Sequence, residues 1–337
     1  MESHFECELG HSHPRRSLLW FDCHRAIGDG SSPRAAAARL GRFLPRLSPA
    51  GFGPRGFFSC RVGDGSDPQY NAHMASFCPL AIIATYNDVD IVPQVVAKLL
   101  DDGNDVHIVD NWSSDGTFEA LQELSARRLG QGSLSIERFP ANGPTRYFDL
   151  RSILHRKEEI ALGFPGRWII HHDSDEVRTS PWPGVGLRDG LRRADEARFT
   201  AVDFVVLAFR PIDDSYKAGV DPETHFRYFE WGHPDYRHIK AWKQPRRRVD
   251  LVSHAGHEVV FRRRKVFPER FVLKHYSLRH PDQSKRKILV ERLGRLHPAA
   301  VAAGWHVQYA PQAAASRFLW DPATLVDYQT LTKPAEP

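Results

Sequence analysis

One stretch of the chain, residues 168–178, passes within a few positions from an apolar strand pattern to a dense group of acids. It opens with Trp168-Ile169-Ile170, aromatic and β-branched residues typical of a buried strand. Three carboxylates follow, at Asp173, Asp175 and Glu176. Because like charges packed together repel, such a group at a strand end favours a divalent cation, Mg²⁺ or Mn²⁺, whose shell a substrate phosphate completes. A solvated acidic turn is the alternative, and the surrounding chain has to decide between the two.

The chain before this stretch alternates between strand and helix patterns. Apolar runs predict strands at 80–84, 106–109 and 168–170, and a further short strand is predicted at 134–138. Apolar residues at helical spacing predict helices at 91–100 and 118–124, and another helix is predicted at 149–162. Asp88 or Asp90 is the predicted N-cap of the first helix. Strands and helices that alternate at short spacing predict a parallel sheet with right-handed crossovers.

Polar residues stand directly after three of these predicted strands. They are Thr85 and Asn87 after the first strand, Asp110 and Asp115 after the second, and Asp173 and Asp175 after the fourth. Ligands of parallel α/β sheets gather at the carboxyl ends of the strands. We therefore expect one crevice to collect all of these side chains, which a hydrophobic core alone would not require.

Residues 79–210 resemble the GT-A domain of family 2 glycosyltransferases. The resemblance rests on three motifs in the right order, each at a strand end: Ala84-Thr85-Tyr86-Asn87, Asp110-Asn111-Trp112-Ser113-Ser114-Asp115-Gly116-Thr117 and Asp173-Ser174-Asp175-Glu176. The stretch from Ala255-Gly256-His257 to Leu273-Lys274-His275-Tyr276 is similar to bacterial members with a Gly-Gly-His and a His-Tyr motif, with Ala255 in place of the first glycine. The resemblance implies an α/β, Rossmann-like, mostly parallel sheet flanked by helices, with an irregular α+β half on the acceptor side.

The resemblance also implies an activity and its site. A sugar would pass from a nucleotide-diphosphate donor to a glycan, lipid or small-molecule acceptor, with Mn²⁺ or Mg²⁺ held by Asp173 and Asp175. His275 is a further candidate for a metal or diphosphate contact, with a satisfied core histidine as the alternative. The candidate donor-binding residues are Thr85, Asn87, Asp110, Asp115, Arg151, Arg156, Asp173 and Arg279. For the arginines, a solvated surface position is the alternative.

An inverting transferase needs a general base that deprotonates the acceptor hydroxyl, whereas a retaining one does not. No motif selects this base, and four residues are eligible: Asp213, Asp214, Glu230 and His257. Lys240 and Trp242 are candidates for the acceptor side, since sugars pack on aromatic rings; a core position is the alternative for Trp242.

The net charge of +5 and the pI of about 9.0 suit an anionic ligand such as a nucleotide diphosphate. Basic runs at 246–248, 262–265 and 285–287 are predicted to be solvated faces, the last on a helix at 282–296, although they could also hold the protein near an anionic membrane surface. We expect no specific nucleic-acid partner.

Four segments are predicted. Residues 1–78, with nine arginines and no lysine, predict a poorly ordered extension. A nucleotide-sugar half at 79–210, an acceptor and metal half at 211–300, and a tail at 301–337 that packs on the domain complete the division. All four cysteines lie in the first 78 residues, and neither a secretory signal nor an apolar run of about 18 residues is visible. We therefore expect a cytoplasmic protein, with peripheral contact at the inner membrane face as an option.

Other functions share some of these features. A non-catalytic module that binds glycans or nucleotides would keep the same fold. A nucleotidyltransferase on a similar fold would release pyrophosphate in place of a nucleoside diphosphate. A binder of nucleic acid would use the basic runs, and its binding would weaken steeply with salt.

Overall fold

The computed structural model describes residues 77–127, 132–298 and 318–332. Its strands are β1 (Leu80–Thr85), β2 (Asp105–Asp110), β3 (Leu134–Arg138), β4 (Trp168–Asp173), β5 (Glu176–Thr179), β6 (Ala201–Phe209), β7 (Tyr228–Trp231), β8 (Ile239–Lys243), β9 (Phe271–His275) and β10 (Val326–Asp327). Within the described residues they form one sheet in the order β10-β7-β6-β8-β4-β1-β2-β3, and β9 pairs with β5 and β6. The predicted strands of the first half are confirmed.

The helices are α1 (Val92–Asp101), α2 (Thr117–Arg127), α3 (Leu150–Leu162), α4 (Leu187–Glu196), α5 (Pro222–His225), α6 (Pro281–Lys285) and α7 (Gln329–Thr332). A π-helical stretch, Arg286–Arg292, and a 3₁₀ turn, Leu293–Arg295, continue from α6. The predicted basic helix at 282–296 is therefore present in this wider and less regular form. None of the helices in the described ranges is both long and apolar enough to span a bilayer.

Four parallel strands form the first half of the sheet. β1 pairs with β2 on one side and with β4 on the other, and β3 extends the sheet beyond β2. In register, Thr85 lies opposite Asp110, and Ala84 lies opposite Asp173. The polar residues that follow these strands therefore meet at one edge of the sheet, as predicted, and the predicted α/β class is confirmed.

The second half of the sheet is mixed. β8 runs antiparallel to β4 and β6, whereas β9 runs parallel to β6 and antiparallel to β5. The β5–β9 register sets His275 opposite Glu176, and the Tyr276 N–H donates to the Asp175 carbonyl at 2.8 Å. A strand about one hundred residues farther along the chain thus returns to the acidic end of β4.

Helix α1 covers the sheet through an apolar face. Its buried residues are Val92, Val95, Val96, Leu99 and Leu100. The predicted side-chain cap of this helix is wrong: Ile91 occupies the N-cap position without a side-chain hydrogen bond. The carboxylates of Asp88 and Asp90 instead accept hydrogen bonds from Arg279. The two predicted capping residues thus bind an arginine that is distant in the sequence and do not cap the helix.

Residues 318–332 pack against the edge of the sheet. Phe318 is buried, and the Arg210 guanidinium lies 4.9 Å from the ring centre of Trp320. β10 pairs antiparallel with β7, and the Trp320 N–H donates to the Pro211 carbonyl at 3.0 Å. The predicted extension up to residue 76 lies outside the described residues, as does Trp305.

Candidate functional site

Five carboxylates converge where β1 and β4 end, and we call them the carboxylate cluster. They are Asp88, Asp90, Asp173, Asp175 and Glu176. Asp175 is 6% exposed and Glu176 is 3% exposed, so neither is a solvated turn residue. Burying acids costs free energy unless they are paired and hydrogen-bonded, and the partners of this cluster therefore determine what it can bind.

Lys240 on β8 neutralises one side of the cluster. Its Nζ lies 2.8 Å from Asp173 Oδ2 and 2.8 Å from Glu176 Oε1, and the residue is only 3% exposed. Arg178, two residues farther along β5, also pairs with Glu176. Lys157 on α3 lies 4.0 Å from Asp173 Oδ1 and donates to the His172 carbonyl at 2.8 Å.

Lys287 and His275 contact Asp175 on the other side. Lys287 Nζ is 2.7 Å from Asp175 Oδ2 and 3.3 Å from Asp88 Oδ1. His275 Nε2 is 3.4 Å from Asp175 Oδ1. Lys287 belongs to the basic run 285–287, which was predicted to be solvated; for Lys287, which is 8% exposed, that prediction is wrong.

Arg279 binds the acids that follow β1. Its Nε and Nη2 each lie 2.7 Å from an oxygen of Asp90, and Nη2 also donates to Asp88 Oδ1 at 2.9 Å. Ser174 Oγ donates to the other oxygen of Asp88 at 2.6 Å. The guanidinium is fully buried, and its Nη1 lies 4.0 Å from Asp175 Oδ2, so Arg279 ties the loop after β1 to the acidic end of β4.

These cations decide the ionisation of the cluster. Burial raises the pKa of Asp173, but Lys240, His171 and Lys157 hold it well below its usual range. Burial likewise raises the pKa of Asp175, and Lys287 with His275 more than offsets that effect. Both carboxylates are therefore ionised at neutral pH and able to bind a cation or donor hydroxyls.

Burial has a different outcome for Lys157. It lowers the pKa of this ammonium group to about 8, against the attraction of Asp173. Strongly shifted groups of this kind concentrate in functional sites, although structural ion-pair networks shift them as well.

The loops after β1 and β2 form the neighbouring part of the same edge. The Asn87 N–H donates to Ser113 Oγ at 3.0 Å, and Asn87 Oδ1 accepts from the Ser114 N–H at 2.8 Å. Asn87 has φ 54°, in the left-handed region that a non-glycine residue adopts at a cost. Strained backbone of this kind concentrates at active sites and ligand-binding sites.

Among the other residues predicted to bind the sugar donor, Asp110 and Thr85 are buried at the strand ends, whereas Asp115 is bonded to the backbone of the neighbouring loops. Asp110 is fully buried, and burial raises its pKa against the hydrogen bonds from Ser113. Thr85 Oγ1 is buried without a hydrogen-bond partner in the described part of the chain. Asp115, in contrast, accepts from the N–H groups of Thr117 and Val89, so it holds the loop ahead of α2.

The two predicted arginines of α3 are not brought to the carboxylate cluster by any described contact. Arg156 forms a two-pronged pair with Glu137 on β3, with distances of 2.8 and 2.7 Å. Arg151 is exposed in the first turn of the helix.

One of the four base candidates, His257, lies within electrostatic range of the cluster. The charges of Lys240, Asp173 and Glu176 act on His257, and burial lowers its pKa to about 4. Glu230 instead pairs with Arg210 at 2.7 Å. Asp213 and Asp214 are exposed, and Asp213 accepts a hydrogen bond from Ser215. Among the described contacts, those of Glu230 and Asp213 do not reach the cluster.

Trp242 cannot present a ring face to an acceptor, because it is fully buried and its indole N–H donates to Gln244 Oε1 at 2.7 Å. Of the two interpretations of Trp242, a core position is therefore the correct one. Lys240, predicted beside it on the acceptor side, points at Asp173 and Glu176.

Within the described residues no group of three or more His, Cys, Asp and Glu side chains is arranged to hold a metal ion. Two of the predicted metal ligands do lie close together: Asp175 Oδ1 and His275 Nε2 are 3.4 Å apart.

No family model matches the chain, and no curated protein sequence does so either. Among solved structures, a mannosyltransferase from Pyrobaculum calidifontis in complex with GDP-mannose and Mn²⁺ matches 39% of this chain and 36% of its own, with 19% identity and a TM-score of 0.29. Mannosyl-3-phosphoglycerate synthase from Rubrobacter xylanophilus matches 47% of each chain, with 13% identity and a TM-score of 0.28. The chain thus spans less than half the length of either structure. At these scores the function has to be derived from the chain's own residues.

Proposed function

We propose that the protein is a glycosyltransferase that moves a sugar from a nucleotide-diphosphate donor, with Mn²⁺ or Mg²⁺ bound at Asp175 and His275. The observation that carries this proposal is the meeting of buried acids, His275 and the two strand-end loops at the carboxyl edge of a parallel sheet. The three stretches that resemble motifs of family 2 glycosyltransferases end at this edge, which supports the proposal.

The Asp175–His275 pair supports the metal of this proposal. Mg²⁺ takes octahedral ligands at about 2.0–2.1 Å, which sets neighbouring ligand atoms about 3 Å apart. The separation of 3.4 Å therefore fits two ligands of one ion with a small adjustment. One or two carboxylates suffice for Mg²⁺ when substrate phosphates complete the shell, whereas His275 would serve as a ligand of Mn²⁺. Either ion would neutralise charge on the leaving diphosphate.

The strand-end loops support the place of the nucleoside. Thr85 Oγ1 has no described partner, and Asp110 is a buried acceptor close to it across the β1–β2 register. Together with Asn87 they offer hydrogen-bond groups to a ribose or a base. Their part in donor binding stays a prediction.

His257 is the base that we favour if the enzyme inverts the anomeric carbon. A pKa of about 4 leaves its ring neutral at pH 7 but makes it a weak base, so the nearby carboxylates of Asp173 and Glu176, which raise this pKa, would have to stabilise the imidazolium that forms when it takes the proton of an acceptor hydroxyl. Asp213, Asp214 and Glu230 remain candidates of lower rank, because the first two are exposed and Glu230 is paired with Arg210 at 2.7 Å. The acceptor would be a glycan, a lipid or a small molecule.

The first test is thermal unfolding with UDP, GDP, ADP or CDP in the presence of Mn²⁺, Mg²⁺ or EDTA. A ligand that binds only the native state raises the melting temperature by mass action. We expect a rise with one diphosphate that needs the metal and disappears in Asp175→Asn. Asp235→Asn, whose wild-type side chain is 87% exposed, is the matched control and should keep the full shift.

A product assay separates the alternatives. Incubation with the sugar donor of the same base should release the nucleoside diphosphate. Release of pyrophosphate from a nucleoside triphosphate and a sugar phosphate would instead establish the nucleotidyltransferase. Metal-dependent binding without any turnover across acceptors would indicate the non-catalytic module. The absence of any shift with all four diphosphates would contradict the donor site itself.

A further inference from the structure

The segment that follows α6 lies over the strand ends and presents one face to them. Lys287, Glu291 and Arg295 are spaced four residues apart, so they project from the same side of this helical segment. Each reaches a different part of the edge: Lys287 reaches Asp175 and Asp88, Glu291 Oε1 accepts from Asn87 Nδ2 at 3.1 Å, and Arg295 donates to Asn111 Oδ1 at 2.8 Å.

Lys287 is the member of this face that holds the carboxylate cluster. Its side chain is 10% exposed and inserts between Asp175 Oδ2 and Asp88 Oδ1. It comes from a π-helical stretch, a rare backbone form that recurs at functional sites. Together with the buried Arg279, Lys287 offsets the repulsion between these two buried carboxylates.

A divalent ion on Asp175 changes this arrangement. The ion would bring two positive charges onto the carboxylate that Lys287 already neutralises, and like charges at such short range in a buried site repel strongly. Lysine and metal therefore compete for Asp175. A diphosphate that arrives with the ion offers the ammonium group a new partner, and lysine binds phosphate as a mobile point charge.

We propose that Lys287 is the residue of this chain that binds the donor's diphosphate, and that it neutralises Asp175 and Asp88 until the metal and the donor arrive. The inference rests on the proposed function, since it requires a metal and a nucleotide diphosphate at this edge. Lys287 then acts twice: it keeps the free site folded, and it leaves Asp175 to the ion when the phosphates enter.

Arg279, the other predicted diphosphate contact, is poorly placed for this task. Its Nε and Nη2 are bound to Asp90 and Asp88, and its Nη1 donates to the Tyr276 carbonyl at 2.9 Å. The residue is completely buried, so a new partner would require several of these bonds to break. The side chain of Lys287 is flexible, and among the described residues it contacts two carboxylates, those of Asp88 and Asp175.

The test compares Lys287→Met with Lys285→Met. Lys285 lies two residues earlier in the same basic run and is exposed, so its variant removes an equal charge from the same segment. Mn²⁺ binding without nucleotide is measured by electron paramagnetic resonance, and binding of the diphosphate found above is measured by calorimetry at saturating Mn²⁺. A nucleoside monophosphate of the same base serves as the probe that lacks the second phosphate.

We expect Lys287→Met to bind Mn²⁺ alone at least fivefold more tightly than the wild type, because the competing ammonium group is gone. We expect its affinity for the diphosphate to fall at least tenfold, and its affinity for the monophosphate to fall less than threefold. Lys285→Met should match the wild type in all three. Lys287→Arg, which keeps the charge, should recover part of the diphosphate affinity.

Loss of stability does not hide the result. If Lys287→Met melts at a lower temperature, Mn²⁺ alone should raise its melting temperature more than it raises that of the wild type, since the ion replaces the missing charge. Changes below twofold in both affinities would overturn the inference and leave the proposed function standing. Loss of Mn²⁺ and diphosphate binding together would also overturn it, because Lys287 would then only maintain the structure. Failure of the wild type to bind any diphosphate with Mn²⁺ would overturn both proposals.

Discussion

At two adjacent residues, Ala255 and Gly256, the backbone conformation determines how a side chain affects the free energy of unfolding. Both have left-handed backbones, with φ of 49° and 81°. Glycine adopts this conformation without penalty, whereas an alanine pays about 1–2 kcal/mol. A Cβ on Gly256 would also lie 2.8 Å from His171 Nε2 and 3.1 Å from Leu154 Cδ2. The glycine is therefore required at 256, and the alanine at 255 is a strained substitute.

Replacing these residues should have opposite effects. Ala255→Gly relieves the strain but adds freedom to the unfolded chain, so we expect a net stabilisation of about 0.5–1 kcal/mol. Gly256→Ala should destabilise the protein by about 2–4 kcal/mol, because strain and overlap add. Urea unfolding measures both. A destabilised Ala255→Gly variant would show that the alanine methyl group makes a packing contribution larger than the strain.

At the scale of elements, an ion pair joins helix α3 to the edge strand β3. Arg156 binds Glu137 with two parallel hydrogen bonds, and His107 lies 3.5 Å from the same carboxylate. Burial raises the pKa of Glu137, but Arg156 and His107 lower it to about 2. Because the pKa of the folded state lies below the 4.5 of the unfolded chain, the pair stabilises the fold above pH 4.5 and loses this effect as the pH falls towards 2.

We therefore expect Glu137→Gln to lower the free energy of unfolding at pH 7 by about 1 kcal/mol, after allowance for solvent screening. The difference from the wild type should shrink between pH 4.5 and pH 2. Glu123→Gln, which breaks a pair whose two side chains are 66% and 76% exposed, is the control and should change little. A difference that is constant with pH would contradict the ion pair. A separate measurement, the nucleotide affinity of Arg156→Gln, tests the predicted part of Arg156 in donor binding.

For the whole molecule, the C-terminal residues complete the sheet at the side away from β3. Strand β10 adds to β7, and Tyr328 packs against Phe209 with ring centres 5.5 Å apart. Phe318 is 3% exposed, whereas its neighbour Leu319 is 40% exposed. The end of the chain thus covers an edge strand and contributes apolar contacts to the body.

Phe318→Ala should destabilise the protein by about 3 kcal/mol, as expected for a buried aromatic residue, and Leu319→Ala by less than about 0.5 kcal/mol. Thermal or urea unfolding of the two variants measures the contrast. Equal, small effects would mean that this segment does not pack on the body in solution.

The sequence by itself determined the strands, the helices and the polar strand ends of the first half, because their signals are local. Apolar runs between 80 and 173 and turn residues after them lie within a few positions of each other. The parallel order follows from the alternation of strands and helices, and it brings Thr85, Asp110 and Asp173 to one edge.

Only the tertiary structure decided which groups neutralise the acids at that edge. Lys240, Lys287 and Arg279 are 67, 112 and 191 residues away along the chain from the carboxylates they bind. Nothing local distinguishes a buried lysine from its solvated neighbour in the run 285–287, since both have the same side chain. The difference arises from burial and from charges that distant strands bring together, and these are the terms that set the pKa values and the binding chemistry of the site.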